Sequence, residues 1–280
     1  MTIHIRGVRV PSLLYGTAWK EDATEGLVVD ALDAGFRGID TANQRKHYFE
    51  EAVGRAVAAK LREGLVRRED LFLQTKFTHR DGQDHRLPYD ATAPIRDQVE
   101  QSFASSLAHF EVATLDSLIL HGPSQREGLA AEDRDVWRAM EKIAESGRVK
   151  LLGASNVTAG QVRELVELAT VPVAFVQNRC YAERGWDRAV RAVCDEHQIV
   201  YQGFSLLTAN RQVLAHGKVG AIAKRHGKTP AQVVFRFAQQ VGMLPLTGTK
   251  DPQHMREDLA AETFNLDADE LAIVDGAGAR

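Results

Sequence analysis

The sequence predicts an α/β protein: a (β/α)8 TIM barrel with an N-terminal β-hairpin cap and a short C-terminal helix, occupying residues 1–280 as a single domain. Three observations lead there. Short apolar runs alternate with amphipathic stretches eight times, with no linker, repeat or low-complexity break. Three successive runs end in polar residues, Asp40, Lys76 and His121, which in a barrel share the face where active sites are built. The first strand-to-helix turn, Gly16-Thr17-Ala18-Trp19, lacks the G-x-G-x-x-G phosphate fingerprint of the main rival, a doubly wound sheet.

Taken in order, residues 3–10 alternate apolar and polar around Gly7 and read as a hairpin. Residues 13–17 form the first barrel strand, 23–34 the first helix and 36–40 the second strand, followed by helix 52–62 and strand 71–76. A long polar loop, 77–90, precedes helix 95–109 and strand 115–120; loops of that length are functional or mobile. Helix 136–146 ends at Gly147, and strand 149–154 follows. The next pairs are 162–169 with 173–176, then 188–197 with 199–204. Residues 213–226 and 230–240 are helical, the second capped by Thr229 with Pro230 at its first position. Strand 243–246 is the eighth, 253–261 the last barrel helix, and 266–275 a closing helix with Asp267 as its cap.

Composition narrows the function classes. At 44% hydrophobic the chain can bury a large core, and a net charge of −3 without a basic run gives no nucleic-acid footprint. No apolar run is long enough to span a bilayer, and the N-terminus has no leader-like core. Cys180 and Cys194 cannot build a disulfide framework and read as small buried apolar residues in a reducing compartment. Ten scattered His lack the spacing of a zinc site, so no metal is expected and a metal-dependent hydrolase is disfavoured. A cytoplasmic enzyme with a small-molecule partner is expected, without membrane or nucleic acid, as a monomer or weak homodimer.

Asp40 ends a buried strand, where a carboxylate is costly unless paired, and Lys76 at the next strand end is one available partner. Each residue also has a plainer account. Asp40 with Thr41 can cap a helix, Lys76 can be solvated, and His121 before Gly122-Pro123 can be a turn histidine. Agreement among three consecutive strand ends favours a site.

With Tyr48 in the intervening loop, these residues resemble the catalytic tetrad Asp, Tyr, Lys and His of the aldo-keto reductase family, and the resemblance runs from Leu13 to about Asp275. In the family the Tyr stands five residues after the Asp and three before a Glu. Tyr48 stands eight after Asp40 and two before Glu50, and His47 occupies the position counted back from Glu50 and Gly54. The resemblance implies a carbonyl reductase that binds its nicotinamide cofactor extended across the barrel face. Tyr48, with His47 as challenger, would be the proton donor, Lys76 and Asp40 would tune it, and His121 would polarise the carbonyl.

It also implies cofactor contacts from Gly16 and Thr17, and from Ser155, Asn156 and Gln177, which in the family hydrogen-bond the nicotinamide carboxamide. Phe204, followed by Ser205 and Leu207, takes the aromatic stacking position where Tyr is usual. Ser155-Asn156 has a second account as a helix cap. At the adenosine end the family's Lys-Ser, Arg and Asn become Gly248, Thr249, His254 and Asp258. Lys250 and Arg256, with Glu257 beside them, lie close enough to replace the missing cations, so NADPH is the expected cofactor. If they are only solvated charges, NADH is tolerated.

Many family members close the pocket with a C-terminal loop, and few residues follow the last helix here. The 77–90 loop is therefore expected to shape the substrate pocket, with Trp19, His47, Phe49 and Trp186 as wall candidates; ordinary packing is the competing account for each. Two other functions stay open: a cofactor-binding sensor or regulatory barrel without turnover, and a lyase, cyclase or isomerase using His47, Tyr48 and His121.

Overall fold

The computed structural model describes residues 2–278. An antiparallel hairpin, β1 (Thr2–Ile5) and β2 (Val8–Pro11), precedes β3 (Leu14–Gly16), α1 (Thr24–Ala34), β4 (Gly38–Asp40), α2 (Glu50–Arg62) and β5 (Phe72–Phe77). Next come α3 (Ile95–Phe110), β6 (Leu115–Leu120), α4 (Ala131–Glu145), β7 (Val149–Ser155), α5 (Ala159–Leu168) and β8 (Val173–Arg179). The chain continues through α6 (Arg188–Glu196), β9 (Val200–Phe204), α7 (Arg211–Leu214), α8 (Gly217–His226), α9 (Pro230–Gln240), β10 (Leu244–Thr247), α10 (Pro252–Leu259) and α11 (Ala268–Gly276).

Strands β3 to β10 pair in parallel and close into a barrel, with β10 between β9 and β3. The strands are apolar because both faces are covered. One set of side chains, including Leu14, Phe72, Ile119, Leu151, Phe175 and Leu244, fills the barrel interior, and Ile5 and Val10 of the hairpin pack with them and plug one end. The larger core lies between strands and helices, with Trp137, Phe103, Val53 and Phe235 among its members. Helices α2 and α3 approach so closely that a Cβ on Gly54 would stand 1.7 Å from the His109 carbonyl oxygen.

Two helical expectations change. Residues 213–226 are split between two helices, because His216 is extended at the position before α8, whose first residue, Gly217, is a poor helix former. The fourth barrel helix starts at Ala131 rather than 136, since Asp133 accepts from the backbone N–H groups of Ala130 and Ser124 and stabilises an earlier start. Helix α9 has the expected bounds and cap, with Thr229 accepting from the Gln232 N–H.

Candidate active site

At the carboxyl ends of β4, β5 and β6, the tertiary structure assembles Asp40, Lys76 and His121. Lys76 Nζ lies 2.7 Å from each Asp40 carboxylate oxygen and 2.8 Å from the Thr41 carbonyl. Gln74 Nε2 and Gln177 Nε2 donate to Asp40 Oδ1 at 2.7 and 3.0 Å, and both amides also donate to Gln202 Oε1 at 2.8 Å. These bonds offset the cost of desolvating a buried carboxylate. Burial holds the Lys76 ammonium below its ordinary range, and Asp40 opposes that. Gln74 and Gln202 were not foreseen, although a glutamine inside an otherwise apolar strand is the signal that finds them.

The added residues between Asp40 and the tyrosine are taken up by a turn in which the Gln44 carbonyl accepts from the N–H groups of His47 and Tyr48. That turn places the Tyr48 ring edge-on to His121, with centroids 5.7 Å apart, and sets Lys76 Nζ 5.2 Å from the Tyr48 ring centroid. His47 instead lies 4.0 Å from the Trp19 ring, and its carbonyl accepts from the Trp19 N–H. Burial, with Asp40 second, raises the Tyr48 hydroxyl above its ordinary value, so it keeps its proton. Burial and the Lys76 charge push His121 down to about 3, so its imidazole is neutral. The His121 Nδ1 is 2.7 Å from Thr78 Oγ1.

A cavity of about 420 Å³ opens above these groups, within the range of small-ligand sites. Gly16, Trp19, Asp40, Tyr48, His121, Ser155, Asn156, Gln177, Phe204, Ser205, Leu207, Gly248 and Thr249 line it, joined by Thr208, Phe235 and Thr247, which were not foreseen. Asn156 adopts φ +56°, and its Nδ2 donates to the His121 carbonyl at 2.8 Å. Ser155 Oγ donates to the Gln177 carbonyl at 2.6 Å. Both Gln177 amide bonds use Nε2, leaving Oε1 as an acceptor at the cavity wall. Thr17 sits behind this wall, with Oγ1 donating to the Asp40 carbonyl.

Other expected residues stand elsewhere. Trp186 is not a pocket wall: it is fully buried, packs on Phe237 at 5.0 Å between centroids and donates to the Asp275 carbonyl. Phe49 sits under the Arg45 and Arg55 guanidiniums, 3.8 and 5.3 Å from its ring, and is not on the cavity surface. His47 is likewise off that surface. The 77–90 loop sends Arg86, Leu87 and Pro88 into a neighbouring polar cleft rather than the main cavity, because its 3-10 turn at Arg80–Gly82 folds it back against Gln44.

At the Gly248 end, Lys250, His254 and Arg256 are exposed. Glu257 accepts from Gln253 of its own helix. Asp258 turns away from the cavity; it is buried, and its Oδ2 accepts from Thr247 Oγ1 at 2.7 Å. A cation that sequence reasoning missed, Lys20, lies there: it is 3% exposed, 2.8 Å from the Gly248 carbonyl and 4.8 Å from the Tyr15 ring centroid. Burial and the nearby Lys250 charge lower Lys20 to about 8. No helix among the described residues is long and apolar enough to cross a membrane.

Comparison with known proteins places this geometry. A model described as the aldo/keto reductase family matches residues 14–279. The chain is 30% identical to an aldo-keto reductase of Mycolicibacterium vanbaalenii, over 95% of this chain and 88% of that one. It is 30% identical to 2,5-diketo-D-gluconic acid reductase B of a Corynebacterium species, over 89% and 82% of the two chains. Among solved structures, an aldo-keto reductase enzyme from a Medee basin deep-sea metagenome library has the same fold, with a TM-score of 0.84 at 23% identity over 99% of this chain and 95% of that one. With the family model matching residues 14–279 and 30% identity to the Mycolicibacterium protein over 95% of the chain, the chain belongs to the aldo/keto reductase family, oxidoreductases that act on carbonyl groups with a nicotinamide cofactor.

Proposed function

We propose that this chain reduces an aldehyde or ketone with NADPH, with Tyr48 giving the proton to the carbonyl oxygen and His121 orienting that oxygen. The observation that carries the reading is the placement of Tyr48 at the cavity wall beside Lys76 and His121. Bound nicotinamide would supply the hydride. Tyr48 keeps its proton until a carbonyl oxygen gains negative charge; Lys76, held by Asp40, then stabilises the phenolate left behind. A neutral His121 can donate a hydrogen bond to that oxygen without losing a proton of its own.

The residues present suit the cofactor. Gln177 Oε1 is an acceptor for a carboxamide N–H, and Phe204 offers a ring face in the same wall. Lys20 and Lys250 give the Gly248 end positive charge, which favours the additional phosphate of NADPH over NADH even though the family's usual cations are absent.

Fluorescence titration with NADPH and NADH, followed by a panel of aldehydes and ketones, tests this. Tyr48→Phe should abolish turnover while leaving cofactor quenching intact. Full activity in that variant moves the proton to His47 or water, and binding without oxidation by the wild type across the panel favours the sensor reading.

A further inference from the structure

Thr78 is not among the residues that line the cavity, yet it meets the ring of His121 at Nδ1, and its surroundings restrict how it can point. It follows directly on β5 and is 5% exposed. Its Oγ1 lies 2.7 Å from His121 Nδ1 and makes no other side-chain or backbone bond among the described residues. Its carbonyl accepts from the Tyr89 hydroxyl at 2.8 Å. Its methyl abuts Gly82 so closely that a Cβ on that residue would stand 2.6 Å from Thr78 Cγ2. Gly82 is held in turn by Gln44 Nε2, which donates to its carbonyl at 2.6 Å. The backbone of His121 is tied down as well, with its N–H donating to the Phe77 carbonyl at 2.9 Å and its carbonyl accepting from Asn156.

We infer that Thr78 is a positioning residue that donates its hydroxyl proton to His121 Nδ1, holding the imidazole as the Nε2–H tautomer with that N–H aimed at the substrate carbonyl. The inference rests on the reductase reading for its purpose, but not for its geometry.

A buried hydroxyl has one proton to place, and Nδ1 is the acceptor within reach. The opposite arrangement, with Nδ1–H donating to Oγ1, would leave the Thr78 proton buried without an acceptor. It would also present a lone pair from Nε2 to a carbonyl oxygen, which repels. Burial keeps the ring neutral, so the choice of tautomer decides whether His121 can donate at all. The 77–90 loop thereby gains a role that its length foreshadowed and its expected place in the pocket wall did not. It buttresses Thr78, and Gln44 connects that buttress to the turn presenting Tyr48.

The test is a long-range 1H–15N correlation of the His121 ring in the resting protein, in the wild type, Thr78→Val and Thr78→Ser, paired with steady-state kinetics on any carbonyl the wild type reduces. The wild type should show the proton on Nε2. Thr78→Val keeps the shape and methyl packing but should lose the single tautomer. Its kcat should fall at least about tenfold with cofactor affinity unchanged, and Thr78→Ser should return both signals toward wild type. A proton on Nδ1 in the wild type, or a Thr78→Val protein with the wild-type tautomer and kcat, overturns the inference. If the wild type reduces no carbonyl, the reductase reading falls, while the ring spectrum of the three proteins still decides what Thr78 does.

Discussion

Replacing Asp258 by Asn should stabilise the protein, by an amount that grows with pH. Asp258 is buried, with Thr247 Oγ1 as its one donor among the described residues, and burial raises its carboxyl from 3.8 to about 6 against the partial opposition of Thr247 and His254. A folded-state value above the unfolded one means that the group favours the folded state fully below pH 3.8 and loses that contribution as pH rises through about 6. At pH 8 the folded protein therefore carries a penalty of about 3 kcal/mol for holding the carboxylate ionised, falling to about 1 kcal/mol at pH 4.5. Asn has no charge to desolvate, and its side-chain oxygen can still accept from Thr247. The Asp258→Asn variant should thus gain about 3 kcal/mol at pH 8, equivalent to about 5 °C in Tm for a chain of this length, and about 1 kcal/mol at pH 4.5. Urea unfolding at the two pH values measures the difference directly. A gain that is flat with pH, or larger in acid, would refute the assignment of the penalty to Asp258.

Two further outcomes follow from the geometry. Because Lys20 loses its proton near pH 8 in the free protein, NADPH affinity should weaken about tenfold as pH rises from about 7 to 9.5; Lys20→Met should bind weakly throughout and flatten that profile, as read by fluorescence titration. Gly54→Ala forces a Cβ into the His109 carbonyl and should cost at least about 3 kcal/mol in urea unfolding; a loss below about 1 kcal/mol would mean that α2 and α3 can separate freely.

Much of the site was legible because barrel strands are short, apolar and regular. Once 36–40, 71–76 and 115–120 are recognised as strands, Asp40, Lys76 and His121 fall at matching ends, and the structure brings them together there. Ser155, Asn156, Gln177 and Phe204 reach the cavity wall by the same rule applied to later strands. Trp186 misled because a large aromatic near a strand end carries no label for direction, and here Phe237 and the Asp275 carbonyl drew it into the core.

Periodicity and turn chemistry are local, so residue order alone was enough for the parallel barrel, the N-terminal hairpin and the strand-end polar groups. The partners of those groups are not local. Gln202 reaches Gln74 across 128 residues of sequence, and Lys20 reaches the Gly248 carbonyl across 228. Whether Tyr48 or His47 turns toward Lys76, which side of α10 carries Asp258, and which hydroxyl meets His121 Nδ1 were likewise decided only when the loops closed against the barrel. Burial then chose these contacts, because a desolvated polar group is costly without a partner, and Gln74, Gln202 and Lys20 take theirs far away in sequence.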